Sequence, residues 1–265
     1  MRTAIYAVTV GSVILFAASP QAQVATRTLV AVLAHADDEG PAAPVLARYA
    51  REGVQVYLIV ATDGAQGAAN TTVARGPEIA RLRADEARCS AQALGAQPPV
   101  LLGFPDGALG NYLAEPTMLY RLTQQLQEHL QRLRPDALVT WGPDGGYGHP
   151  DHRIVNSIVA QLSRAGAPGM PQRVFYFSIP EEGIRAMNPG RGAPPFLIPQ
   201  ARLFTVRVAF TPADFEAARR SMACHKTQVS DEAVKRVTDA MRDLWKGELA
   251  FSPMVPQAAA SDLFQ

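Results

Sequence analysis

The stretch Thr28-Leu29-Val30-Ala31-Val32-Leu33-Ala34-His35-Ala36-Asp37-Asp38-Glu39 is an apolar run that breaks into a histidine and three consecutive acids. A second stretch repeats the plan: Ala137-Leu138-Val139-Thr140-Trp141 is apolar, and Gly148-His149-Pro150-Asp151-His152-Arg153 follows it. Each reads as strand, polar loop, then helix. Runs apolar at every position, not at alternate ones, mark strands of a parallel sheet covered on both faces.

Working outward, the same alternation recurs. Strands are expected at 28–34, 54–62, 100–104, 137–141, 173–179 and 203–210, the first four continuously apolar. Between them, Leu119, Leu122, Leu126, Leu130 and Leu133 fall on one helical stripe, and Pro77–Leu94 forms a helix stopped by Gly95. Thr211-Pro212-Ala213-Asp214 carries a cap residue, a proline at the first helical position and an acid at the third. Strand and helix in alternation imply a single α/β domain, a Rossmann-like, mostly parallel sheet with helices on both faces. No Gly-x-Gly-x-x-Gly follows the first strand, so the dinucleotide-binding version of that fold is not supported.

Ligands of such sheets bind outside the carboxyl ends of the strands. Four consecutive loops at those ends carry His, Asp and Gly: 35–39, 62–67, 104–107 and 143–152. His35 and Asp38 are three residues apart, as are His149 and His152, and three of these four donors can converge on one metal ion. Two imidazoles and a carboxylate suit catalytic Zn2+, and the same spacing admits Fe2+. Of the adjacent acids Asp37 and Asp38, one can ligate while the other stays free as a general base. The competing account, a set of solvated loop residues and helix caps, explains one cluster well and two at strand ends of the same sheet poorly.

Here the residues carry a family resemblance. Ala34–Glu39 resembles the Ala-His-Pro-Asp-Asp-Glu signature of the LmbE-like, or PIG-L, zinc deacetylases, and Gly148–Arg153 resembles that family's second signature. Arg83 with Glu86 before Leu94-Gly95, then 103–107 and His225-Lys226-Thr227-Gln228, extend the likeness over residues 28–251. It implies zinc on His35, Asp38 and His152, with Asp37 as general base. His149 would hold the oxyanion or protonate the leaving amine, and Tyr147 would contact the intermediate. The substrate would be an N-acetylglucosamine-type amino sugar or glycoconjugate. Another N-acyl amide, or carbohydrate binding without catalysis, are the alternatives. Ala36 stands where the family has proline, which loosens the turn. Ala65 stands where many members have an acid, which bears on substrate contacts.

Other residues read less sharply. Arg83 and Glu86 are either a surface i, i+3 ion pair or a rim contact to substrate. Asp106 is either a substrate-binding carboxylate or a turn-former. His225 continues the apolar stripe of Phe215, Ala218 and Met222, as a core residue or a support at the pocket, and His129 lies on a polar face. Residues 180–200, rich in proline and glycine, read as a lid over the pocket.

Residues 1–22 have a basic start, an apolar run and small residues before position 23, the pattern of an export signal, which leaves 23–265 as the deacetylase-like domain and the protein periplasmic or extracellular. The run is short for a membrane anchor. Export permits a disulfide between the only cysteines, Cys89 and Cys224; two buried small hydrophobes are the other reading. With 25 basic and 24 acidic residues there is no electrostatic footprint for nucleic acid or an anionic membrane. The oligomeric state is not legible.

Overall fold

A computed structural model describes residues 26–111, 115–181, 183, 185 and 199–265, together with Met1. The expected leader and most of the expected lid lie outside the described residues.

Seven strands build one sheet: β1 (Thr28–Leu33), β2 (Gln55–Thr62), β3 (Val100–Phe104), β4 (Ala137–Trp141), β5 (Arg173–Phe177), β6 (Val206–Ala209) and β7 (Glu248–Pro253). Among the described residues, the longer helices are α1 (Ala43–Arg51), α2 (Pro77–Leu94), α3 (Met118–Leu133), α4 (Pro150–Arg164), α5 (Pro212–Cys224) and α6 (Asp231–Trp245). The strand order is β3-β2-β1-β4-β5-β7-β6. The first five strands are parallel, and β7 runs antiparallel between β5 and β6. The chain builds outward from β1 through β2 to β3, then returns to place β4 on β1's other side. The β1–β4 seam, with Val32 paired to Thr140, is therefore the topological switch point, where open α/β sheets bind ligands. Both signature loops leave the sheet there.

Side chains of β1 divide between two cores, as a pleated strand requires. Leu29, Ala31 and Leu33 pack with Val45 and Leu46 of α1 and Phe215 of α5. Val30 and Val32 pack with Leu122, Leu126 and Leu130 of α3 and Val155 and Val159 of α4. Both faces are covered, as the apolar runs indicated. β3 is the exception: it is an edge strand with a half-buried start. β7 was not expected from the sequence at all.

α5 starts as the sequence indicates, with a capping box between Thr211 and Asp214. Arg51 Nε also reaches Asp214 Oδ1 at 2.8 Å, tying α1 to that cap. Cys89 of α2 and Cys224 of α5 form a disulfide with Cα atoms 5.7 Å apart, which settles that pair in favour of bonding. No helix among the described residues is long and apolar enough to cross a membrane.

Candidate active site

The β1–α1 loop and the first turn of α4 bring His35, Asp38 and His152 together. His152 Nε2 lies 3.0 Å from Asp38 Oδ1 and 3.1 Å from His35 Nδ1, and His35 Nδ1 lies 3.6 Å from Asp38 Oδ2. Tetrahedral zinc with donors at 2.0–2.1 Å holds them about 3.3 Å apart, so the two ring nitrogens and the Asp38 carboxylate are spaced to share one ion.

The hydrogen bonds at the back of each donor decide what its front offers. His152 Nδ1 is 3.0 Å from the Gly145 carbonyl, which only accepts, so Nδ1 carries the proton and Nε2 presents a lone pair. His35 Nε2 faces Asp106 Oδ1 at 3.2 Å and Asp151 Oδ2 at 3.4 Å, so it donates to carboxylates and Nδ1 is turned towards the centre. Asp38 Oδ2 accepts from the Ala34 and His35 amides at 2.9 and 2.8 Å, leaving Oδ1 for the centre. A buried point ringed by acceptors calls for a cation, and histidine ligands backed by carboxylate and carbonyl are the usual support for one. Burial opposes charge on both His35 and Asp38. The Asp38, Asp106 and Asp151 carboxylates nevertheless raise His35 well above the ordinary histidine value, and His152 and His35 hold Asp38 well below the carboxylate range.

Other donor sets are possible on distance alone. A ring nitrogen of His149 lies within 4.8 Å of donors on His35 and His152, and His35, Asp106 and Asp151 form a second such group. Asp151 is committed elsewhere: its oxygens accept from the Gly107 and Leu109 amides at 2.8 and 3.2 Å. Asp106 Oδ2 accepts from the Gln66 amide at 2.9 Å. This second group is a hydrogen-bonded bracket between loops, with His35 as one member.

Trp141, the last residue of β4, lies flat on His152, with ring centroids 4.6 Å apart and planes inclined by 6°. The turn that follows must clear that indole. Gly146 has φ +72°, and a β-carbon there would sit 2.6 Å from the Trp141 ring. Glycine is thus required both by conformation and by space.

Asp37 stands apart from the donor set. Its side chain is 36% exposed, and it lines a cavity of about 180 Å³ shared with Asp38, Trp141, Tyr147 and His225. Its φ of 122° is unusual for a residue with a β-carbon, and such backbone costs about 1–3 kcal/mol. Arg83 Nη1 lies 3.3 Å from Asp37 Oδ2, and Nη2 donates to the Ala36 carbonyl. At 3% exposure Arg83 does not lie on the helix surface, which corrects the surface ion-pair reading. Its partner Glu86 is also buried, accepting from the Thr227 amide at 2.6 Å and hydroxyl at 2.8 Å. Asp106 likewise points at His35, and its side chain is largely covered.

His149 caps α4, its Nδ1 accepting from the Asp151 amide at 3.2 Å. A neutral ring therefore carries its proton on Nε2. Burial, and then His35 and His152, lower its proton affinity and favour that neutral form. Tyr147 sits at the rim, its ring 5.4 Å from that of His152. Burial and the Asp38 and Asp37 carboxylates raise its hydroxyl, which stays a hydrogen-bond donor. His225 is buried against Glu39, with Nε2 2.7 Å from Oε1. His129 is half-buried on the polar side of α3, its Nδ1 2.7 Å from Arg132 Nη2.

The arrangement therefore offers a three-donor cation site, a separate carboxylate beside it and two N–H or O–H donors at its rim. That is the equipment of metal-assisted hydrolysis. The resemblance to known proteins agrees with it. N,N'-diacetylchitobiose deacetylase from Pyrococcus horikoshii shares the fold, with a TM-score of 0.65 at 17% identity, covering 87% of this chain and 84% of that one. The 1D-myo-inositol 2-acetamido-2-deoxy-alpha-D-glucopyranoside deacetylase of Corynebacterium urealyticum is 28% identical over 83% of this chain and 76% of its own length. Its counterpart from Nakamurella multipartita is 31% identical over 76% of this chain and 79% of its own. Residues 30–163, about half of the chain and both signature loops with it, match PIG-L, described as GlcNAc-PI de-N-acetylase, and the chain accordingly belongs to the PIG-L family.

Proposed function

We propose that this protein is an exported, metal-dependent N-deacetylase that hydrolyses the acetamide of an N-acetylglucosamine-type amino sugar or glycoconjugate. The observation that carries the reading is the division of labour between adjacent acids. Asp38 closes a donor set with His35 and His152, while Asp37 stays in the cavity beside it. Relatives named as deacetylases of a GlcNAc-inositol support the substrate class. The leader-like residues 1–22 and the Cys89–Cys224 disulfide support export.

His35, Asp38 and His152 would hold Zn2+, or Fe2+ on the same donors. The ion would supply a Lewis acid that polarises the acetyl carbonyl and acidifies water. Asp37 takes a proton from the attacking water, a general-base contribution of about 10²–10⁴ in rate. Tyr147 and His149 donate to the carbonyl oxygen as charge builds on it. The C–N bond breaks as the nitrogen takes a proton from His149, or from Asp37 returning the one it holds. The products are acetate and the free amine. On this reading Arg83 acts through Asp37, and Asp106 through His35, without touching substrate.

Amine release from a panel of N-acetylated sugars and other N-acyl amides, with metal analysis of the same protein, tests the proposal. Release from N-acetylglucosamine compounds by protein carrying one equivalent of metal is expected. Sugar binding without release would mean a carbohydrate-binding protein, and release confined to other amides would move the substrate class.

A further inference from the structure

Asp37 keeps a φ of 122° that its side chain does not favour, so something must hold it there. The holder is Glu39. Its Oε2 accepts from the Asp37 amide at 3.0 Å. Its Oε1 accepts from the Ser90 hydroxyl, from Ser221 at 3.3 Å and from His225 Nε2 at 2.7 Å. All four of these side chains are buried.

The three donors come from two helix segments joined at one point. Ser90 follows Cys89 on α2, and His225 follows Cys224 at the end of α5, with Ser221 one turn before it. The disulfide ties these segments directly behind Glu39, and the Ser90 and Ser221 hydroxyls lie 2.7 Å apart. α2 presents a second contact to the same turn. Arg83, two turns before Ser90 and on the same helical face, engages Asp37 and the Ala36 carbonyl. The strained turn is gripped at its amide, at a carbonyl and at the Asp37 carboxylate.

Stability alone is a weak reason for this cluster. A buried ion pair such as Glu39–His225 is often no better than apolar packing of the same volume. A device that fixes one geometry of a reacting group is a better one. We propose that Glu39 is a positioning residue for Asp37, and that the Cys89–Cys224 disulfide sets the spacing of the helices that hold Glu39. The inference rests on the reading of Asp37 as general base. Cys89 is exposed, so a reductant reaches the bond while the residues beneath it stay buried.

The test uses full-length, metal-loaded protein and amine release from an N-acetylglucosamine compound. Glu39→Gln is expected to lower kcat about ten- to a hundredfold, the scale of a small misplacement of a reacting group, with KM and metal content unchanged. Asp37→Asn/Glu39→Gln should be no slower than Asp37→Asn, because Glu39 acts only through Asp37. Reducing the disulfide should lower kcat about three- to tenfold with metal retained, and reoxidation should restore it. Ser221→Ala, a milder change, should move kcat the same way if Glu39→Gln fails to fold. Variants or reduced protein that lose melting temperature but keep kcat per metal-loaded molecule would overturn the proposal, as would additive losses in the double variant. Wild-type activity in Asp37→Asn would instead remove the general-base reading beneath it.

Discussion

Asp106 Oδ1 sits 3.2 Å from His35 Nε2, on the far side of the imidazole from the nitrogen that faces the donor set. A carboxylate there fixes the ring's orientation and raises its basicity as a ligand. Asp106→Asn keeps the shape and removes the charge. It should weaken metal affinity about ten- to a hundredfold while KM of the fully loaded enzyme changes little. Metal titration alongside steady-state kinetics checks this. A large rise in KM at full loading would instead make Asp106 a substrate contact.

Arg83 is a buried guanidinium whose partners are Asp37, Glu86 and a main-chain carbonyl. Arg83→Met should cut kcat about tenfold or more by freeing the Asp37 carboxylate. Arg83→Lys should recover only part of the loss, because an ammonium lacks the fork that spans Ala36 and Asp37. Kinetics of the two variants at full metal occupancy decide the matter. Full rescue by lysine would mean that charge alone suffices.

Asp214 links the α5 cap to Arg51 of α1. Burial pushes its carboxyl up, but the Arg51 hydrogen bonds and those from Thr211 outweigh it and hold the group below the usual carboxylate range. A carboxyl depressed in the folded state contributes stability above its unfolded value of about 4, lost as pH falls through the folded value. Asp214→Asn should therefore cost about 1 kcal/mol at neutral pH, the scale of a weakened charge-assisted hydrogen bond. The gap between variant and wild type should close as pH drops below about 4. Urea unfolding at a series of pH values measures it, and a gap that widens in acid would contradict the assignment.

The two signature loops were legible because each rests on local pattern: an apolar run, then donors at fixed short spacing. Spacing left four candidate donors, and only the family resemblance singled out His35, Asp38 and His152; that β1 and β4 pair side by side depends on the whole chain. The places of Arg83 and Asp106 were not legible, because their partners lie on other segments of the chain. One signal for Arg83 was present: it falls in line with Ile79, Ala87, Ser90 and Leu94, all buried, so the stripe of α2 marks it as inward-facing. β7 was hidden for another reason. Glu248-Leu249-Ala250-Phe251-Ser252-Pro253 has a weak pattern and becomes a strand only by pairing antiparallel to β5 and β6. Glu39 stood in plain view within the first signature loop. Its work became apparent only when α2 and α5 closed over it.

Asp37→Asn tests the account most directly, because it removes a carboxyl charge from one of two adjacent acids that are assigned different tasks. The measurement is amine release from an N-acetylglucosamine compound together with metal content of the same preparation. The account predicts wild-type metal content with turnover lowered about 10²–10⁴-fold. Loss of the metal would make Asp37 a ligand, and turnover at the wild-type rate with metal bound would contradict its role as the base.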